Sequence, residues 1–156
     1  MTNKFFPKEK VTENDLYFLC YMIERVARKL HQHNRYVVNM LGYDELYRQL
    51  SLASVLHSDN PSKVENDWIV ENHLEHGFFD VTDVNSELVA HIPSPTQMGK
   101  VYKRLILSTL KEGEDWVRAL IRIYSDAICD TLDNYNSSAY YEPSPVITRA
   151  YLNGGF

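Results

Sequence analysis

Apolar residues recur along most of the chain at the three- and four-residue spacing of α-helices. The first such stretch follows Thr12, whose hydroxyl can cap a helix together with Asp15 three residues later. Tyrosine, phenylalanine and methionine residues widen the apolar arc of this stretch beyond one stripe. A helix that is apolar around most of its surface lies in the centre of a protein or at a subunit interface. The pattern therefore predicts a central first helix over about residues 13–30.

Start and stop signals predict the later helices. Gly42 is placed to end a short second helix, residues 34–41, in a left-handed cap, and a third helix follows over 43–56. Ser94 and Pro95 form a strong helix start, and acidic residues open a long helix over 114–132. The remaining predicted helices cover residues 61–74 and 144–151. Because hairpin signals and strand-like alternation are missing, we predict an all-α, single-domain irregular bundle of about six to seven helices.

Residues 77–93 interrupt the helical period. They hold Phe78, Phe79 and several aliphatic residues without regular spacing, which fits a packed loop, a short strand or a short helix. We treat residues 1–156 as one helical domain. Within it, residues 77–93 are the best candidate for a sub-boundary between an N-terminal four-helix half and a C-terminal half.

Charge and cysteine content limit the cellular locations and the classes of binding partner that we expect. The chain has 16 Lys and Arg residues and 21 Asp and Glu residues, which gives a net charge of −5. This charge disfavours a general nucleic-acid binder, but it does not exclude a local basic face. No stretch reaches the roughly 18 apolar residues that span a bilayer, and the N-terminus lacks the apolar core of a signal peptide. Cys20 and Cys129 lie within apolar helical patterns, as reduced core cysteines do. We expect a cytoplasmic protein without membrane contact.

The motifs of catalysis and cofactor binding are missing. There is no nucleophile elbow and no glycine-rich phosphate loop, and neither cysteine has polar neighbours that would activate its thiol. The interpretation is therefore a non-catalytic protein without a cofactor.

The leading hypothesis is a contact surface formed by tyrosines. We expect this surface to bind another macromolecule, and a protein is the favoured class of partner. Four lie in a C-terminal region rich in Asn and Ser, a composition typical of adaptable contact surfaces, and two lie on the first helix. The alternative is that these rings pack across the bundle and hold the chain end. Self-association through the first helix is a variant of this hypothesis. The residues are Tyr17, Tyr21, Tyr135, Tyr140, Tyr141 and Tyr151.

Basic residues support a second hypothesis, that of a nucleic-acid-associated regulator. If they share one face, they can contact phosphates. The alternative, favoured by the negative net charge, is a solvated helix face opposite the apolar stripe. The candidates are Lys100, Lys103, Arg104, Arg118 and Arg122.

Histidines support a third hypothesis, a metal-dependent hydrolase that uses His57, His73 and His76. A metal site needs three or four convergent ligands, and histidine is the usual one. The chain lacks an H-E-x-x-H motif and a C-x-x-C motif. The competing interpretation is that these are surface histidines near helix ends.

One set of positions within residues 18–61 forms a spaced pattern that consists of Phe18, Ile23, Glu24, Ala27, Lys29, Val37, Gly42, Leu46, Leu56 and His57. On these positions, residues 18–61 resemble a small uncharacterised bacterial helical family of accessory or antitoxin-like proteins. The resemblance implies a helical fold and interaction with a partner rather than catalysis.

Overall fold

The fold consists of helices joined by short turns and one longer irregular segment. A computed structural model describes residues 1–156. The only β-pairing is an isolated bridge between Thr2 and Lys10, so the predicted all-α bundle is confirmed. The α-helices are α1 (Glu13–Leu30), α2 (Asn34–Leu56), α3 (Pro61–Glu71), α4 (Pro95–Ser108), α5 (Trp116–Tyr124), α6 (Ile128–Leu132) and α7 (Ser144–Asn153), and a 3-10 turn covers Ala139–Tyr141.

The first helix lies in the centre of the bundle, as predicted. Its start is a capping box, in which the Thr12 hydroxyl accepts from the Asp15 amide while the Asp15 carboxylate accepts from the Thr12 amide. Helices α2, α3 and α4 pack around α1. The chain itself therefore covers most of the apolar arc of α1, and that arc does not require a second copy.

Helix α4 lies very close to α1. The Pro93 carbonyl, just before α4, contacts Arg28 near the end of α1, and Gly99 contacts the backbone of Tyr21, so the two helices run antiparallel. A Cβ atom at Gly99 would lie 3.0 Å from the Tyr21 amide nitrogen. Close approach of the two backbones therefore explains glycine at this helical position.

Helix α2 bends at Gly42, where the two predicted helices meet. Gly42 has φ 75° and ψ 175°, and helical geometry resumes at the next residue. The predicted left-handed cap is therefore wrong in its ψ angle, although the positive φ is present. This backbone region is essentially open to glycine alone. The bend gives α2 two axes, so both of its segments can follow the core.

The predicted single helix over residues 114–132 is wrong, because it is divided into α5 and α6. The Asp126 carboxylate accepts a hydrogen bond from the Ile128 amide at 2.8 Å, which starts a new turn. Residues 77–93 contain no helix or strand, so the segment is a loop, and most of its residues are exposed rather than packed. The apolar core nonetheless includes residues from both sides of this segment, among them Leu19 and Leu105.

Both cysteines lie in the core. Cys20 and Cys129 are buried and free, as predicted, and burial raises the pKa of Cys20 to about 12. None of the helices combines the length and apolar character needed to cross a lipid bilayer.

Candidate functional site

A buried polar cluster joins α1 to the C-terminal half of the chain. Its centre is Glu24, which is 2% exposed. The Glu24 carboxylate accepts hydrogen bonds from the Tyr135 hydroxyl at 2.7 Å, the Asn34 amide at 2.7 Å and the Arg28 guanidinium at 3.1 Å. A buried charge needs such partners, because desolvation otherwise makes its ionised form very costly. The cluster consists of Glu24, Arg28, Asn34, Tyr102, Asp133 and Tyr135.

Asp133 is the second carboxylate of the buried polar cluster. It accepts from the Tyr102 hydroxyl at 2.7 Å and from the Asn34 amide at 3.2 Å, and it forms no ion pair. Burial, reinforced by the neighbouring Glu24, holds the pKa of Asp133 well above its ordinary value. Arg28 lies against Glu24 instead and also donates to the Pro93 carbonyl at 2.7 Å. The one cation of the cluster therefore compensates the Glu24 carboxylate directly, whereas Asp133 has only neutral hydrogen-bond donors and burial disfavours its ionised form.

A cavity of about 230 Å³ lies above the buried polar cluster. Asp133 and Tyr135 form part of its lining, together with Phe79 and the carboxylates of Asp80, Asp83 and Asp130. The cavity therefore combines aromatic walls with an excess of acidic groups. Such a lining favours a cationic group over an anion or a neutral apolar ligand.

Two basic groups lie near this cavity. The His33 ring stacks on Phe79 with 3.7 Å between ring centroids, and burial together with Arg35 lowers the pKa of His33. Both effects disfavour the charged form of His33. Arg35 pairs with Asp130 at the surface. Asp80 and Asp83 form no ion pair, so their charges remain available to a bound cation.

The tyrosines proposed as contact residues fall into separate places. Tyr135 is buried and lines the cavity, and the Tyr140 ring packs edge-on against it at 5.3 Å. Tyr141 follows and is 75% exposed. Tyr151 lies elsewhere, where its hydroxyl accepts from Arg122 at 2.7 Å. Part of the tyrosine-rich segment therefore forms the cavity wall, and part of it packs inside the bundle.

The other two candidate tyrosines lie on α1. Tyr17 and Tyr21 are half-buried, with ring centroids 6.0 Å apart. The Tyr21 hydroxyl accepts from Arg25 at 2.9 Å. Tyr17 lines an open groove on another part of the surface.

The five basic candidates divide into two groups. Lys100, Lys103 and Arg104 line the same groove as Tyr17 and form no ion pair. Arg118 instead pairs with Asp115.

Arg122 is held by internal contacts. It pairs with Glu114 at 2.6 Å and donates to the Thr109 carbonyl at 3.0 Å. The Glu114 hydrogen bond raises the pKa of Arg122 further above its usual range. This arginine therefore fastens α5 to the turn before it, rather than presenting its charge to solvent.

The three candidate histidines lie in different surroundings. The His57 ring lies 4.9 Å from the Phe18 ring, and the His76 ring lies 4.8 Å from the His31 ring. His73 has a positive φ of 54° in the turn after α3. No three His, Cys, Asp or Glu side chains are arranged so that they could hold a metal ion.

Comparisons with protein-family models, curated proteins and solved structures found no match to this chain. The resemblance of residues 18–61 to the antitoxin-like family therefore stays a prediction.

Proposed function

We propose that this protein is a non-catalytic, cytosolic bacterial factor that acts by binding another protein. The contact surface is the cavity face, which we define by Phe79, Asp80, Asp83, Asp130 and Tyr135. The proposal rests on one observation: Tyr135 of the tyrosine-rich segment and the carboxylates of Asp80 and Asp83, which form no ion pair, line the same cavity. Aromatic rings bordered by polar groups are typical of protein interfaces.

The cavity face suits a basic side chain of the partner, and arginine fits it best. A guanidinium is planar, so it can pack against the half-buried Phe79 ring while its N–H groups donate to the exposed carboxylates of Asp80 and Asp83. The cavity of about 230 Å³ accommodates the head of one long side chain rather than a folded segment. Phe78, which precedes Phe79 in the chain, is fully exposed and is an apolar side chain open to a partner.

The resemblance of residues 18–61 supports interaction rather than catalysis. An antitoxin-like role, or that of an inhibitor encoded by a mobile element or phage, is compatible with a cavity face that receives a basic side chain. Both roles require occupation of a partner's surface and no chemistry by this chain.

The test is partner capture with charge-neutral variants. Tagged wild-type protein, the double variant Asp80→Asn/Asp83→Asn and the control Asp44→Asn/Asp59→Asn are incubated with lysate of the source organism. All four aspartates are exposed, and the control changes net charge equally. We expect wild type and control to retain the same protein, which the double variant loses and which an arginine-rich peptide displaces. A wild-type chain that stays monomeric in light scattering and captures nothing contradicts the proposal. Retention by Asp80→Asn/Asp83→Asn likewise contradicts it.

A further inference from the structure

A second surface, formed by α1 and α4, carries the opposite charge. We call it the cationic groove and define it by Tyr17, His57, Lys100, Lys103 and Arg104. It is a depression open to solvent, with a volume of about 490 Å³. The three cations lie at positions i, i+3 and i+4 of α4, so they share one helix face.

The charges of the cationic groove are not compensated within the chain. Eight of the sixteen lysines and arginines form ion pairs, and the three groove cations are not among them. Glu13 is the one carboxylate in the lining. In a chain of net charge −5, this leaves a local positive surface that favours an anionic ligand.

The groove also offers aromatic surface. Tyr17 is half-buried against Tyr21, so its ring is held in place while part of it faces the groove. Lys100 and Arg104 are separated by about 6 Å along the helix axis. A row of cations beside an anchored ring is the arrangement by which proteins bind single strands, with phosphates on the cations and a base on the ring.

We propose that the cationic groove binds single-stranded nucleic acid through its phosphates, with one base stacked on Tyr17. Because the groove is open to solvent, it can accept an extended strand, whereas a small anion is held best in an enclosed pocket. The Tyr17 ring favours a single strand, because the bases of a duplex are stacked on one another and are not free to stack on a side chain. The inference is independent of the cavity face, because the two surfaces have no lining residue in common.

The binding test uses fluorescence anisotropy of a labelled 20-nucleotide oligo(dT) at 20–300 mM NaCl. With three phosphate contacts, the slope of log affinity against log salt is about −2, so affinity falls about 20-fold between 50 and 200 mM. The groove variant Lys100→Ala/Lys103→Ala/Arg104→Ala loses this binding. The control Lys8→Ala/Lys111→Ala/Arg149→Ala removes three exposed, unpaired cations elsewhere and retains both affinity and slope.

The ring at Tyr17 is tested separately from the charges. Tyr17→Ala weakens oligo(dT) binding by about fivefold or more, since it removes the stacking surface, whereas Tyr17→Phe keeps the affinity. The single variants Lys100→Ala and Arg104→Ala also weaken binding, and they keep the test decisive if the triple variant is unstable. Asp80→Asn/Asp83→Asn binds oligo(dT) as wild type does, which separates this inference from the cavity face.

Several outcomes would overturn the inference. They are no anisotropy change at 20 mM NaCl, equal losses in the groove and control triple variants, or tighter binding of duplex than of single strand. Binding of poly-glutamate but not oligo(dT), lost in the groove variant, would instead assign the groove to an acidic protein.

Discussion

Arg28→Met tests the role of the buried polar cluster in stability. The Arg28 side chain is only 16% exposed and is the cation that contacts Glu24, whose own side chain is 3% exposed. Methionine keeps the apolar stem but removes the charge and all donors. Glu24 then remains buried without a cation, and the Pro93 carbonyl loses its 2.7 Å donor.

The expected loss is large. Removing one partner of a buried ion pair costs about 3–5 kcal/mol, because the remaining charge is left uncompensated. The free energy of unfolding of a single domain is about 5–15 kcal/mol, so this change removes a substantial share of it. For a chain of this length, each kcal/mol lowers Tm by about 2–4 °C, which gives a decrease of about 6–20 °C.

The assay is urea unfolding followed by circular dichroism, arranged as a double-mutant cycle. Adding Glu24→Gln to Arg28→Met removes the orphaned charge, so the double variant recovers more than half of the loss. Arg104→Met, on an exposed and unpaired arginine, changes stability by less than about 0.5 kcal/mol. A loss below about 1 kcal/mol for Arg28→Met, or further destabilisation by Glu24→Gln, would refute the role of Arg28 as the cation that compensates buried Glu24.

Two further predictions concern the same interior. Because the pKa of Asp133 is raised on folding by burial and by Glu24, its contribution to stability is complete at low pH and is lost as pH rises above about 4. The wild-type free energy of unfolding minus that of Asp133→Asn therefore falls between pH 4 and 8, by at most about 1.4 kcal/mol per pH unit, and a pH-independent difference would contradict this. Gly99→Ala forces α4 away from the Tyr21 backbone at a cost of about 1–3 kcal/mol, against a gain of about 1 kcal/mol in helix propensity. We expect a net loss in thermal melting, and a raised Tm would show that the helices can separate freely.

Much of the fold is predictable where a helix start has a local chemical cause. Thr12 and Ser94 accept hydrogen bonds from amides three residues later, so their side chains mark α1 and α4 in the sequence itself. The break between α5 and α6 has no such signal, because apolar spacing continues across it. The Asp126 side chain interrupts the helix because it accepts a hydrogen bond from the Ile128 amide, a bond that competes with the helical backbone pattern. The spacing of apolar residues does not show whether this bond or a continuous helix is formed.

The candidate site is much harder to predict, because its parts are distant in the chain. Glu24 and Tyr135 are separated by 111 positions, and no local pattern links them. In the sequence, Glu24 and Arg28 read as the charged end of a helix with an exposed pair at i and i+4. Only packing of α4 and the C-terminal segment onto α1 turns that pair into the centre of a buried polar cluster. The spacing of Lys100, Lys103 and Arg104 predicts from the sequence that they share one helix face. That Arg122 does not join them could not be predicted, because it depends on tertiary contacts with Glu114 and Tyr151.

The bend at Gly42 has a consequence for recognising distant homologues. A Cβ atom at Gly42 would contact no other atom, so steric crowding does not prevent a replacement. A replacement would destabilise the bend because residues other than glycine rarely adopt its backbone angles. A descendant that keeps the bend and the buried carboxylate–amide contact needs an acidic residue, then an amide side chain about ten positions on, then Gly eight positions further, as Glu24, Asn34 and Gly42 are spaced here. That three-letter spacing is a fingerprint by which diverged members of the lineage can be found, even where overall identity has faded.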